Sequence, residues 1–333
     1  MTTEERKIRN ITIDEINRKL QFQKEDFPDL HQAVKNDSLI VFLGAGISKL
    51  YGCLLWNEMA SKLVDELQKY KIISYAEHNI LSQEAFVNPR KIISICHARC
   101  SIEHNNLAVY EKAIRDSVDI QDNSKVQEIY KRVYTVQAMS HLTTNIDLGI
   151  KQYALSIRNI ARDLKIYDCT FPYDQDRIRQ TEYNIFKDGN IIYLHGTQAN
   201  IQECILPIEK YLSYYDEQND FLNGLFEKIK SIGCIIVFIG YGLNEWDLIE
   251  RVYKIKSFPM ERIAYLLSPI YTYELIKFNL ESAYFRSFGV EPIPYIIDDE
   301  GYEKLYYVLD NLAKATDESR PSPYTTISDI EEA

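Results

Sequence analysis

Four polar side chains follow an apolar run near the middle of the chain, in the stretch HLTTNIDL: Thr143, Thr144, Asn145 and Asp147. Hydroxyl, amide and carboxylate groups this close together can hydrogen-bond a polar ligand or orient a water molecule. Taken singly they have simpler explanations, because asparagine often caps a helix and an aspartate is favourable in a first helical turn. The group as a whole predicts a ligand site at the end of a buried strand.

A glycine-rich turn follows the first strongly apolar run, in the stretch SLIVFLGAGISKLYG. Gly44 and Gly46 permit a tight turn and the approach of a phosphate, and Ser48 adds a hydroxyl donor. The dinucleotide fingerprint G-x-G-x-x-G is incomplete, because Lys49 occupies its third glycine position. No Lys-Ser/Thr pair follows at the spacing of an ATPase P-loop. The turn is compatible with a nucleotide site and, equally, with a plain connection between strand and helix.

Two further strand ends carry polar or glycine-rich sequence, YLHG with His195 and FIGYGLNEWD at 238–247. In an open α/β sheet a ligand lies outside the carboxyl ends of the strands, so the four segments are predicted to meet in one crevice. A lone histidine there is more often structural than catalytic, and Tyr241-Gly242 also suits an ordinary turn. It is the combination of the four that favours a binding site.

Strand-like apolar runs alternate with helical patterns, which predicts parallel strands joined by helical crossovers. The predicted fold class is α/β, a Rossmann-like parallel doubly wound sheet with a helical insertion, and the continuous apolar strands indicate that both faces are covered. The predicted strands are Ser38–Leu43, Thr135–Leu142, Asn190–Leu194, Cys234–Ile239, Arg262–Leu267 and Pro292–Ile297. The predicted helices are Trp56–Tyr70, Ser82–Ala113, Lys125–Val133, Asp147–Leu164, Phe221–Ser231, Glu245–Ile255, Thr272–Phe288 and Tyr302–Ala315.

The predicted organisation has three parts. Residues 1–36 form leading helices, residues 37–316 form the sheet domain with a helical insertion at about 72–134, and residues 317–333 form a flexible acidic tail. The insertion is predicted because its sequence is helix-rich and has no strand pattern. The tail combines serine, proline and acidic residues without an apolar period, which is typical of mobile segments.

Composition limits the classes of function. The 333-residue chain is 46% apolar, which provides a large core. Its net charge of −11 argues against strong nucleic-acid binding by this chain alone. It has neither a run of about 20 apolar residues nor an apolar leader, so we expect a soluble cytoplasmic protein without a membrane segment. The six cysteines are scattered, which favours reduced, buried thiols. Only CHARC hints at a metal, and because no second ligand pair follows, no metal site is predicted.

The order of the motifs resembles that of the sirtuin family. GAGIS followed by Gly52, then TTNID and LHG, correspond to that family's G-A-G-I-S-x-x-x-G, T-Q-N-I-D and H-G, and FIGYGLNEWDL is similar to a segment of its bacterial branch. The resemblance covers about residues 36–300. Three features depart from the protein-deacylating sirtuins: the four-cysteine zinc module is missing, GCLLWNEM replaces a Pro-Asp-Phe-Arg segment, and Thr144 replaces a glutamine. The departures bring the chain close to the sirtuin-like NAD hydrolases of bacterial antiphage defence.

This resemblance implies an NAD+ glycohydrolase that cleaves NAD+, its substrate, to nicotinamide and ADP-ribose, with NAD depletion leading to abortive infection. It assigns Asn145 to the ribose or the attacking water, and His195 to the ribose hydroxyls and the role of general base. The residues implied in binding NAD+ are Gly44, Ala45, Gly46, Ser48, Thr144, Ile146, Asp147, Gly240, Tyr241, Gly242, Asn244 and Asp247. By resemblance the first four hold the pyrophosphate, Ile146 and Asp147 engage the nicotinamide, and the last five line the adenosine end. Whether the product is linear or cyclic ADP-ribose stays open.

Control by a partner is expected, because an unrestrained NAD hydrolase would kill its own cell and little sequence follows residue 300. The resemblance implies a HerA-type ATPase as the first candidate. A homo-oligomer is also expected from the 25 tyrosines and 13 phenylalanines, for which an aromatic-rich core is an equal explanation. Three other functions stay open: a non-catalytic sensor of NAD or ADP-ribose, an NAD-dependent protein deacylase and, least favoured by the acidic charge, a nuclease.

Overall fold

Parallel strands form the centre of the protein in the computed structural model, which describes residues 11–103, 105–157, 163–242, 246–256 and 262–319. The strands of the described part are β1 (Leu39–Leu43), β2 (Ser140–Thr143), β3 (Ile166–Asp168), β4 (Asn190–Tyr193), β5 (Ile235–Ile239), β6 (Ala264–Ile270) and β7 (Val290–Ile296). Their order across the sheet is β3-β4-β2-β1-β5-β6-β7, and all neighbours are parallel. Strands β2, β3 and β4 lie on one side of β1, with β4 between β2 and β3, and β5, β6 and β7 follow on the other side. The direction in which strands are added therefore reverses between β1 and β5.

Helices connect the strands and cover the sheet. They are α1 (Ile13–Lys19), α2 (Pro28–Lys35), α3 (Ala45–Leu50), α4 (Trp56–Lys69), α5 (Tyr75–Ala85), α6 (Pro89–Ala98), α7 (Leu107–Ser117), α8 (Asn123–Thr135), α9 (Gly149–Ser156), α10 (Pro172–Gln180), α11 (Ile208–Tyr214), α12 (Asp220–Ile232), α13 (Trp246–Ile255), α14 (Leu275–Ser287) and α15 (Lys304–Ser319). A π-helical turn follows α6 at Arg99–Glu103, and short 3-10 segments lie at Gln198–Glu203, Thr272–Glu274 and Gly301–Glu303.

Local sequence explains several helix ends. The Asn219 side chain accepts the N–H of Leu222 at 3.1 Å at the start of α12, and that helix stops at Gly233, which has a φ of 70°. Ser74 and Glu77 form a reciprocal capping box at the start of α5. Proline occupies the first helical position of α2, α6 and α10, where its missing N–H has no intrahelical partner to lose.

Alternate residues of the central strands face opposite helical layers. In β1, Leu39, Val41 and Leu43 belong to a buried apolar cluster that includes side chains of α2, α8 and α15. Ile40 and Phe42 belong to a second cluster on the other face, with side chains of α12 and α13. Both faces are therefore covered, and the predicted doubly wound α/β fold is confirmed.

A third apolar cluster is formed mainly by α4 to α7, which we call the helical unit. Met59 and Leu63 of α4 pack there with Ile93 of α6 and Ile114 of α7. Ile146, from the predicted ligand site, joins the same cluster. The insertion predicted at about 72–134 overlaps this unit, which also includes α4, whereas α8 packs on the sheet. The domain boundaries themselves stay predictions.

Some predicted elements are wrong in extent. The strand predicted from Thr135 begins at Ser140, because Thr135 is the last residue of α8. β3 is not predicted, since three residues are too few to give a pattern. The helix predicted over 147–164 is α9, which ends at Ser156, and residues 158–162 lie outside the described ranges. In the predicted tail, residues 317–319 belong to α15, and the remainder lies outside those ranges.

All six cysteines are buried free thiols. Cys96 and Cys100 of CHARC lie in the apolar cluster of the helical unit, so the interpretation as core cysteines is confirmed. None of the helices in the described ranges has the length and apolar character needed to cross a membrane.

Candidate functional site

The loops after β1 and β5 pack directly against each other at the point where the strand order reverses. The Gly44 N–H donates to the Ile239 carbonyl at 2.9 Å, and the Gly46 N–H donates to the Gly240 carbonyl at 2.8 Å. A Cβ on Gly44 would lie 2.5 Å from the Gly240 oxygen, and one on Gly240, whose φ is 65°, would lie 2.5 Å from the Ile47 nitrogen. Glycine is thus required for the contact between the loops. Since both amides have backbone partners, the predicted phosphate contacts stay a prediction.

A buried hydrogen-bond network centred on Asp147 joins the ends of β1 and β2. Its Oδ2 accepts the Ser48 hydroxyl at 2.6 Å, and its Oδ1 accepts the Tyr51 hydroxyl and the Gly149 N–H, each at 2.8 Å. The Tyr51 hydroxyl also lies 2.9 Å from that of Tyr130. Both carboxylate oxygens therefore have donors, and Asp147 holds its neighbours in fixed positions.

Burial determines the electrostatics of this carboxyl group. Only 3% of Asp147 is exposed, and desolvation raises its pKa above the ordinary value, while hydrogen bonds from Ser48, Gly149 and Tyr51 act in the opposite direction. The Gly149 N–H can only donate, and the Ser48 and Tyr51 hydroxyls donate to the carboxyl oxygens in this arrangement, a pattern that suits the ionised form. In that form the network places a negative charge next to Ser48 and Asn145.

Asn145 is held by the same network and is half-buried. Its Nδ2 donates to Ser48 Oγ at 3.0 Å, so Asp147 orients Asn145 through Ser48. Its backbone N–H donates to Thr143 Oγ1 at 3.0 Å, and that hydroxyl donates to the Leu43 carbonyl at 3.0 Å. The chain that leaves β2 is therefore tied to the end of β1.

A narrow cleft lies between this network and the helical unit. One wall carries residues that the sequence predicts: Ala45, Ser48, Thr144, Asn145, Ile146 and Asp147. The other wall is mostly apolar and is not predicted: Cys53, Leu54, Trp56, Met59, Val118 and Leu206. The apolar residues directly after the glycine turn, in GCLLWNEM, are the sequence signal from which part of this wall could have been predicted. The volume of this partly open cleft is about 30 Å³, which is room for one water molecule.

The segment that forms the apolar wall is fastened at both ends. The Leu54 N–H donates to the Ser117 carbonyl at 2.8 Å. The Glu58 carboxylate accepts the Leu55 N–H at 2.8 Å and pairs with Lys49 at 2.6 Å. Lys49, which occupies the third glycine position of the fingerprint, thus joins α3 to α4.

His195 occupies a different environment at the end of β4. It is fully buried, and its Nε2 lies 2.8 Å from the Tyr215 hydroxyl. The rings of Tyr211, Tyr214 and Tyr215 meet the imidazole nearly at right angles, with centroid distances of 6.1, 6.1 and 5.7 Å. His195 is absent from the described residues that line the cleft. Its role as general base stays a prediction.

Residues 140–293 match the SIR2-like domain family. This segment runs from β2 into β7 and includes TTNID, LHG and the loop after β5, whereas the GAGIS turn precedes it. The search of curated proteins found no match. The SIR2-like match supports a Sir2-type relationship and an NAD-related activity.

The loop after β5 belongs to this SIR2-like segment. Tyr241 packs against Phe42 and Phe238, with ring centroids 5.3 and 5.7 Å apart, and Gly242 is exposed. Asn244 lies outside the described ranges, and Asp247 is in α13 with a side chain outside the described part. Contacts of this loop with adenosine stay a prediction.

No cluster of three or more His, Cys, Asp or Glu in the described part of the chain is arranged to hold a metal ion. The absence of a metal in the site stays a prediction.

Proposed function

We propose that this SIR2-like chain is an NAD+ glycohydrolase that releases nicotinamide and ADP-ribose. The observation that carries the proposal is the position of Asn145, which lines the cleft and is hydrogen-bonded to Ser48, itself fixed by Asp147. An amide oriented in this way can position a ribose hydroxyl or a water molecule. The SIR2-like match supports NAD as the class of substrate.

The proposed reaction breaks the bond between the nicotinamide nitrogen and the ribose carbon. The electron pair moves to the pyridinium nitrogen, which becomes neutral, so the leaving group needs no proton. A water oxygen bonds to the ribose carbon and loses its proton to the medium. The positive charge that develops on the ribose is stabilised by the buried carboxylate of Asp147, because electrostatic attraction is strong in a water-poor site.

Substrate entry requires the apolar wall to move. The indole of Trp56 and the thioether of Met59 suit a flat aromatic ring such as nicotinamide. The cleft is partly open, but its volume of about 30 Å³ is too small for that ring, so we propose that this wall shifts away from Asn145. We propose that this movement is the step at which activity is restrained.

We further propose that the chain acts in antiphage defence by depleting NAD+, as a homo-oligomer controlled by a separately encoded partner such as a HerA-type ATPase. This part of the proposal is supported by the resemblance in motif order.

The test is to incubate the purified chain with NAD+, without any acylated peptide, and to quantify the products by chromatography. We expect nicotinamide and ADP-ribose in equal amounts. Asn145→Ala is expected to lower the rate more than about a hundredfold. The matched control is Asn88→Ala, which removes an exposed asparagine that makes no capping hydrogen bond and should leave the rate unchanged.

The same assay distinguishes the alternatives. Wild-type rates in Asn145→Ala would contradict the proposal, and so would no release either alone or with the ATPase added. Nicotinamide release only with an acyl-lysine peptide would identify a deacylase. NAD+ binding without release would identify a sensor, and chromatography separates cyclic from linear ADP-ribose.

A further inference from the structure

A second cavity lies between the helical unit and residues 201–210, behind the wall of the NAD cleft. Its volume is about 250 Å³, slightly below the range of sites for drug-sized ligands. Leu107 of α7, Ile201 and Pro207 give it an apolar surface, and polar side chains complete the lining. Nothing in the proposed reaction uses this cavity.

The Tyr110 side chain marks this cavity as a binding site. Tyr110 is 2% exposed and lines the cavity, and its hydroxyl has no hydrogen-bond partner in the described part of the chain. A buried hydroxyl without a partner is unfavourable, so a ligand that reached the Tyr110 hydroxyl would gain a hydrogen bond that the described residues do not supply. The ring of His97 contacts that of Tyr110 edge-on at 5.1 Å.

The charged groups of the lining indicate what kind of ligand fits. Glu111 and Glu203 contribute two carboxylates, and Gln202 donates to Glu111 at 2.6 Å and so orients it. His97 is engaged by Glu209 at 3.1 Å. Lys210 provides an ammonium group. Carboxylates accept hydrogen bonds from hydroxyl groups, and a pair of them suits a sugar with neighbouring hydroxyls.

We propose that this cavity binds a nucleoside. The planar base would lie against the apolar residues and accept a hydrogen bond from the Tyr110 hydroxyl, and the ribose hydroxyls would donate to Glu111 and Glu203. Lys210 would accommodate a 5′-phosphate, so nucleoside monophosphates belong to the same class. The size of the cavity excludes a complete dinucleotide.

The segment that carries this site also borders the NAD cleft. The Gln198 N–H donates to the Ile146 carbonyl at 2.6 Å, and Leu206 lines the cleft next to Pro207, which lines the cavity. A bound nucleoside would therefore change the rate of NAD+ cleavage by shifting this shared wall. The change in rate rests on the proposed function, whereas binding does not.

The test is isothermal titration of the purified chain with adenosine, guanosine, cytidine, uridine and adenosine 5′-monophosphate. ADP-ribose is present in excess to fill the NAD cleft. We expect at least one probe to bind with one site per chain. In Tyr110→Phe the affinity should fall at least tenfold, and the melting temperature without ligand should not fall, because an unpartnered hydroxyl is removed.

The matched control is Tyr134→Phe, which removes another buried hydroxyl that has no partner in the described residues and that lies outside the cavity lining. It should bind the probe with wild-type affinity. The proposal is overturned if no probe binds, if binding is unchanged in Tyr110→Phe, or if it falls equally in the control. An inactive chain that still binds a nucleoside through Tyr110 would contradict only the proposed NAD+ cleavage.

Discussion

Ser48 and Asp147, 99 positions apart in the chain, meet through a 2.6 Å hydrogen bond across the carboxyl ends of β1 and β2. Ser48 is also the acceptor for the Asn145 amide at 3.0 Å. This one hydroxyl therefore connects the buried charge to the side chain proposed to meet the substrate.

Replacement of Ser48 by alanine is expected to impair catalysis more than folding. In Ser48→Ala the Asn145 amide loses its partner, so we expect NAD+ cleavage to fall by about ten- to a hundredfold. The loss of one donor to Asp147 should cost about 1–3 kcal/mol in unfolding free energy. Nicotinamide release and denaturant unfolding measure the two effects. The control is Ser282→Ala, a buried serine that donates to the Phe278 carbonyl, which should lose stability without losing activity.

Tyr51 is expected to set the acidic limit of activity. Its hydrogen bond lowers the pKa of Asp147 against the raising effect of burial, so Tyr51→Phe should raise that pKa further. Because the ionised carboxylate accepts the Ser48 hydroxyl, kcat/KM should fall as Asp147 is protonated. The acidic limb of the pH profile should therefore move to higher pH in Tyr51→Phe. Tyr130→Phe, which removes only the neighbouring hydroxyl, should move it less. An unchanged limb in Tyr51→Phe would show that Asp147 does not control the reaction.

The sheet could be predicted from sequence because its strands are long apolar runs between turns. β1 and β5 were predicted to within one residue, since both faces are buried and every position is apolar. β3 has three residues and an incompletely buried first position, which leaves no readable pattern. The start of β2 was misplaced because Thr135–Met139 is apolar enough to resemble a strand, although Thr135 ends a helix.

The sequence predicts those parts of the site that the sheet topology places, and misses those that depend on how the helices pack. Asn145 and Asp147 lie at a strand end, so topology alone brings them to Ser48. The Tyr51 hydroxyl and the Trp56 wall depend on how α3 and α4 fold back, which no local pattern encodes. His195 also lies at a strand end, but Tyr211 and Tyr214 of α11 and Tyr215 directly after it pack around the imidazole.

His141, the first residue of HLTTNIDL, is expected to make the fold sensitive to acid. It is buried and stacked on Tyr134 at 4.4 Å, and its Nδ1 donates to the Gly189 carbonyl at 3.2 Å. Desolvation lowers its pKa to about 4, below the value of about 6.5 for an unfolded chain. The unfolded state thus binds the proton first, and stability is lost as pH falls from about 6.5 towards 4.

The size of this effect follows from the difference in pKa. Between pH 7 and pH 4, the wild type should lose about 3 kcal/mol more unfolding free energy than His141→Gln. Urea denaturation at several pH values measures it. His78→Gln, which removes the half-buried histidine paired with Asp65, is the control and should follow the wild type. Parallel pH curves for wild type and His141→Gln would refute the assignment.

Gly240 is expected to tolerate alanine poorly, because two costs coincide there. Its φ is 65°, and an added Cβ would lie 2.5 Å from the Ile47 nitrogen. Gly233 has a φ of 70° with nothing within 4 Å of such a Cβ, so Gly233→Ala isolates the backbone cost of about 1–2 kcal/mol. Gly240→Ala should cost about 1–3 kcal/mol more and weaken NAD+ cleavage, because the loops after β1 and β5 must separate. Equal destabilisation of the two variants would mean that this contact is unimportant.

His195 is the residue for which resemblance and burial lead to opposite expectations. A general base must reach the proton that it removes, and loss of such a base lowers rates by about 10²–10⁴-fold. The imidazole is fully buried and hydrogen-bonded to Tyr215 at 2.8 Å. The backbone carbonyl of His195 also accepts the Ile205 N–H at 3.0 Å. We therefore expect His195 to position the segment up to Ile205. Glutamine retains a polar group near Tyr215, and His195→Gln should therefore keep kcat within about tenfold of wild type with an unchanged pH profile. Tyr215→Phe should have an effect of similar size. A loss above a hundredfold in His195→Gln with an intact fold, together with loss of a titration from the pH profile, would instead establish His195 as the base and require α11 to open during turnover.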